Sequence, residues 1–223
     1  MTISEMLGEY ERDYALAMLG VEDFPYQKLS GKTIVVDGES EYMKLTVCMS
    51  LLALNDKEKL SIKVLMLGNG NELSEKLAER NDFSLCSYEQ AAATEYNFFI
   101  STGICGLELN GTSAEYCRIT NNFARAISTA KSCLERCILL SDYRVYGELE
   151  RGLVISENEA GFVPFSNNGD MSQTTAVSIE TYFSAYAKQF NLPTIILRSG
   201  ILLGAKAELP QNFTDELFSA VAE

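Results

Sequence analysis

None of the 223 residues is histidine, and that absence removes whole classes of chemistry. Ser-His-Asp and Cys-His catalysis both need an imidazole to take the proton, so neither can be assembled within this chain. Zinc loses its commonest nitrogen ligand. The six cysteines (Cys48, Cys86, Cys105, Cys117, Cys133 and Cys137) are scattered without a Cys-x-x-Cys pair. A metal site would need ligands from distant segments, and none is expected. Cys133 and Cys137 stand four residues apart, the spacing of a helix face. The set reads as small apolar filler in a reducing compartment.

Positive charge is also scarce, with 18 Lys and Arg against 31 Asp and Glu and a net charge of −13. Nucleic acids and anionic membranes are held by clustered bases, so neither is expected as a partner. A dinucleotide is not excluded, because backbone N–H groups at a helix N-terminus hold phosphate without a basic side chain. No apolar run reaches the ~18 residues of a membrane-spanning helix. The opening MTISEMLGEYERDY is acidic, where a secretory leader is basic and then apolar. A cytoplasmic location is therefore expected.

What is present suits an ordered domain. The chain is 47% hydrophobic and 22% charged, a balance that supports a buried core rather than disorder. Thr2 and Glu5 form a capping-box pattern ahead of Met6, Tyr10, Tyr14 and Leu19, which predicts a first helix ending near Gly20. Val21 to Lys32 reads as a loop. Short apolar runs then alternate with helical segments. Strands are predicted at Thr33–Val36, Ile62–Leu67, Phe83–Cys86, Asn97–Ser101, Cys137–Leu140 and Pro193–Leu197. Helices are predicted at Glu41–Leu54, Glu72–Arg80, Ser113–Ser132 and Ser178–Phe190. Continuous apolar strands alternating with helices predict an α/β fold, a doubly wound parallel sheet with helices on both faces.

Several fragments carry a more specific signal. Val145-Tyr146-Gly147 follows a strand, Glu157-Asn158-Glu159 comes next, Glu180 lies on the following helix, and Leu197-Arg198 closes the last strand. In this order and spacing, Lys32 to Glu223 resembles the extended short-chain dehydrogenase/reductase family of NAD-dependent nucleotide-sugar epimerases and dehydratases. The resemblance implies a Rossmann-type domain over 31–223 preceded by an N-terminal helix and loop over 1–30. It also implies NAD or NADP as cofactor and a sugar nucleotide as substrate. Family members continue into a C-terminal substrate lobe, and by the resemblance that lobe is expected to be largely absent from 31–223. Gln211 to Glu223 reads as a helix, with Leu209, Phe213, Leu217, Phe218 and Val221 as candidate contacts to this chain's own sheet or to a partner.

The family's chemistry is not carried over. Its Gly-x-x-Gly-x-x-Gly motif maps onto Gly38, Glu41 and Lys44, so one glycine remains. Asn69 stands near the position of the ribose-binding acid, and Thr102 lies in the small-residue segment after the fourth strand. These five are the vestigial cofactor candidates. The family's Ser/Thr, Tyr and Lys map onto Asp142, Ser172 and Ala176, and no tyrosine in the chain has a lysine four residues on. Without that pair no acid/base group is tuned in the family's way, and no catalytic residue is intact. The expected function is a binding or partner subunit, as a homo-oligomer or beside an active relative. The alternatives are an NAD(P)-dependent enzyme using Asp142 as a non-standard acid/base, and a dinucleotide-binding sensor.

Overall fold

The computed structural model describes residues 25–105, 107, 112–147, 155–157 and 171–200. The helices expected over 2–20 and 211–223, and the candidate contacts from Leu209 to Val221, lie outside the described residues. So do Asn158 and Glu159.

Six strands form one parallel sheet: β1 Thr33–Asp37, β2 Lys63–Leu67, β3 Phe83–Cys86, β4 Tyr96–Ser101, β5 Cys133–Asp142 and β6 Thr194–Ser199. Their spatial order is β3-β2-β1-β4-β5-β6. The order reverses between β1 and β4, which opens a crevice at the carboxyl ends of those strands. Among the described residues five α-helices connect them: α1 Glu41–Glu58, α2 Glu72–Leu77, α3 Tyr88–Ala92, α4 Ser113–Thr129 and α5 Met171–Phe190. Among the described residues no helix is long and apolar enough to cross a membrane.

Strand residues alternate between two cores, because successive side chains point to opposite faces. Val35, Phe99 and Leu139 pack with Ile119 and Phe123 of α4 and with Ile179 and Phe183 of α5. Ile34, Val36, Val64 and Met66 pack with Leu45 and Leu52 of α1 on the other face. On the edge strand β6, Ile196 packs on the α5 side, whereas its neighbours Ile195 and Leu197 point the opposite way and are exposed.

The chain departs from the sequence expectations at several element boundaries. Helix α5 starts at Met171 rather than Ser178, which puts Ser172 and Ala176 on it. Strand β5 starts at Cys133, four residues early, so Cys133 and Cys137 lie on one strand rather than on a helix face. A register shift opposite Tyr96 and Phe98 marks a bulge between them. The short helix α3 was not anticipated; Ser87 and Gln90 form its capping box.

Candidate functional site

The carboxyl ends of β1 to β4 surround a cleft of about 680 Å³, lined by Asp37, Gly38, Glu39, Lys44, Asn69, Tyr88, Arg118 and Asn122 among others. Three of the five cofactor candidates, Gly38, Lys44 and Asn69, therefore share one cavity. Glu41 and Thr102 flank it without lining it, each bonded to a residue that does.

Gly38 follows β1 with φ at +150°. A Cβ there would meet Thr102 Oγ1 at 1.9 Å, so the glycine makes room for this chain's own threonine. The Thr102 N–H donates to the Asp37 carbonyl at 2.8 Å, and the Glu39 N–H donates to the Gly103 carbonyl at 3.0 Å. These bonds fasten the turn after β1 to the end of β4. Asp37 is buried and accepts from Ser101 Oγ at 3.2 Å. Burial pushes its carboxyl up to about 6, while Lys44 and the Ser101 hydrogen bond pull it down.

Helix α1 begins at Ser40, whose hydroxyl accepts from the Met43 N–H at 3.3 Å. Glu41 in the first turn pairs with buried Lys44 at 3.0 Å. Its other oxygen, Oε1, is buried with no hydrogen-bond partner among the described residues. Lys44 points toward the end of β2: a Cβ on Gly68 would lie 3.9 Å from its Nζ. Glu39 is held from across the cleft by α4, accepting from Arg118 Nη1 at 3.0 Å and Asn122 Nδ2 at 2.8 Å.

These residues do not fit the diphosphate of a dinucleotide. A diphosphate at the N-terminus of α1 would face both Glu39 and Glu41. Like charges at ~4 Å repel by ~4 kcal/mol at an effective dielectric near 20. The helix dipole contributes ~0.3–1 kcal/mol, too little to offset that. Glu41 and Lys44 carry side chains where the motif would have glycines, so the close backbone approach that glycines allow is missing.

At the end of β5 the chain makes a second network. Asp142 accepts from Arg144 Nε at 2.7 Å, from Arg144 Nη2 at 2.8 Å and from the Arg144 backbone N–H at 2.9 Å. Arg144 Nη2 also reaches the Ile104 and Leu107 carbonyls. Ser141 Oγ donates to Glu180 Oε1. Glu180 also accepts from Arg198 Nε at 3.0 Å and Nη2 at 2.9 Å. The Arg198 guanidinium lies 4.8 Å from the Tyr146 ring centroid and donates to the Glu157 carbonyl at 3.0 Å. Four of the sequence fragments, around Tyr146, Glu157, Glu180 and Arg198, thus meet at one point. Ser172 and Ala176 are buried on the inner side of α5, and Ala176 belongs to the core beside Ile179 and Phe183.

Sequence reasoning missed Glu39 and its partners. Arg118 and Asn122 stand four apart on α4, a spacing that puts them on one helix side, but nothing local says what that side faces. Among the described residues no group of three or more Cys, Asp and Glu is arranged to hold a metal ion.

No family model and no curated protein sequence matches the chain. Solved structures do. The UDP-glucuronic acid 4-epimerase of Bacillus cereus in complex with NAD aligns with a TM-score of 0.54 and 18% identity, over 75% of this chain and 56% of that one. The Bordetella bronchiseptica enzyme WbmH in complex with NAD⁺ aligns at 0.56 and 12% identity, over 85% of this chain and 63% of that one. The dTDP-glucose 4,6-dehydratase of Bacillus anthracis in complex with NAD aligns at 0.53 and 12% identity, over 86% and 61%. The chain spans less than two thirds of the length of each. Its fold is the Rossmann-type α/β fold shared with these NAD-bound enzymes.

Proposed function

We propose that this chain is a member of the extended short-chain dehydrogenase/reductase family that has lost catalysis and serves as a partner subunit. The observation that carries the reading is the state of the acid/base positions. Ser172 and Ala176 stand where the family's Tyr and Lys are expected, and both are buried on the inner side of α5. Asp142, the nearest replacement acid, is bound through both oxygens by Arg144. An acid/base residue must reach the proton it moves, and an oxygen pair already engaged by a guanidinium is poorly placed to do so. Exposed Ile195 and Leu197 on the outer face of β6 support a role in docking to a second copy or an active relative. Free thiols at all six cysteines support a reducing, cytoplasmic setting.

The test is conversion of UDP-glucuronic acid and of dTDP-glucose with NAD⁺ or NADP⁺ supplied, read by chromatography of the nucleotide sugars. The proposal expects no product above a heat-inactivated control. Product formation by the wild-type chain would overturn the proposal, and its loss in an Asp142→Asn variant that a thermal melt shows to be folded would point to Asp142 as a non-standard acid/base residue.

A further inference from the structure

The misfit between the cleft and a dinucleotide has a specific form. Two carboxylates at the start of α1 are not simply exposed there; each is held by a cation, as a bound anion would be. Glu39 receives the Arg118 guanidinium and the Asn122 amide from α4, at 3.0 and 2.8 Å, while Glu41 receives the Lys44 ammonium at 3.0 Å. Arg118 and Lys44 both line the cleft. They are the cations that an anionic ligand at this helix terminus would use, alongside the backbone N–H groups.

We infer that Glu39 and Glu41 act as a built-in substitute for a ligand's diphosphate, neutralising Arg118 and Lys44 from within and closing the cleft to anions. The anion-binding parts are thus retained but occupied by the chain's own side chains. Glu39 is well placed for this, since its side chain is only 15% exposed while Arg118 reaches it from a 54% exposed position. The carboxylate is fixed by the turn after β1, whose Glu39 N–H is bound to Gly103, and the guanidinium comes to it. Removing the charge of Glu39 and Glu41, while keeping their shape, leaves Arg118 without its carboxylate and Lys44 with only the charge of buried Asp37, at the N-terminus of α1.

The experiment is calorimetric titration of the full chain and of the Glu39→Gln/Glu41→Gln variant with inorganic pyrophosphate and with NAD⁺. A thermal melt followed by circular dichroism confirms folding. The wild-type chain is expected to give no saturable heat with either ligand. The variant is expected to bind pyrophosphate saturably, tightened by at least ~10-fold over any residual wild-type affinity. Adding Arg118→Gln is expected to abolish the gain. The single Glu39→Gln variant, which leaves the α1 first turn unchanged, should show a smaller gain and keeps the test open if the double variant fails to fold. Saturable binding by the wild type, or silence of a folded variant, would overturn the inference. This inference shares the fold placement used above but fails separately: wild-type binding without turnover would remove it and leave the loss of catalysis standing.

Discussion

Asp142 and Arg144, two residues apart, close on each other at the end of β5: the carboxylate takes both the Nε and the Nη2 hydrogens of the guanidinium, at 2.7 and 2.8 Å. Both side chains are largely buried. The pair therefore has a fold role, because Arg144 also ties the β5 end to the carbonyls of Ile104 and Leu107.

Replacing Asp142 by Asn removes the charge that the Arg144 guanidinium meets through two hydrogen bonds. A loss of about 2–3 kcal/mol in folding stability is expected, measured by urea denaturation. A change below a few tenths would mean that the pair is not holding the β5 end.

Gly38→Ala should destabilise by about 2–4 kcal/mol, since the new Cβ collides with a fixed threonine and φ is positive. The companion Thr102→Ala should recover part of that loss in a double-mutant cycle. Equal losses with and without Thr102 would show that backbone strain alone requires the glycine.

Asp37 gives a pH signature. With its carboxyl raised to about 6 by burial, the native state keeps a proton that the unfolded chain has already released. Wild-type stability attributable to Asp37 therefore falls as pH climbs from the ordinary carboxylate range through about 6. Asp37→Asn should stabilise the chain near pH 7.5 by up to about 3 kcal/mol, and the gain should shrink as pH is lowered through that window. Denaturation midpoints at several pH values check it; a gain independent of pH would contradict the assignment.

Ala176→Lys tests the proposed match of Ala176 to the family's lysine. Ala176 lies in the core with Ile179 and Phe183, so an ammonium there should cost several kcal/mol, read as a lowered melting temperature. A variant as stable as wild type would show that α5 still has room for the family's pair.

The strands were legible in the sequence because a parallel strand covered on both faces is a continuous apolar run, as in TIVV at β1 and IKVLML at β2. The start of α5 was not. Its first turns are rich in Ser and Thr, which read as loop, yet Thr175, Ser178 and Thr181 each donate back to the carbonyl four residues earlier. Nor was the start of β5, where Glu135, exposed Arg136 and the bulge break the apolar run. That no tyrosine has a lysine four residues on, and that Gly38 is followed by Glu41 and Lys44 rather than by glycines, was visible directly, because these are matters of residue identity. The Glu39–Arg118 and Glu180–Arg198 pairs were not, because they join residues that only the sheet order brings together.

The most direct test of the central claim, that a Rossmann-type domain here has its cofactor positions filled from within, is a calorimetric titration of the wild-type chain with NAD⁺, NADH, NADP⁺ and NADPH in turn. The account predicts no saturable heat from any of the four up to millimolar ligand. Saturable binding of even one would contradict it, and would mean that the turn from Gly38 to Lys44 still holds a diphosphate despite its two carboxylates.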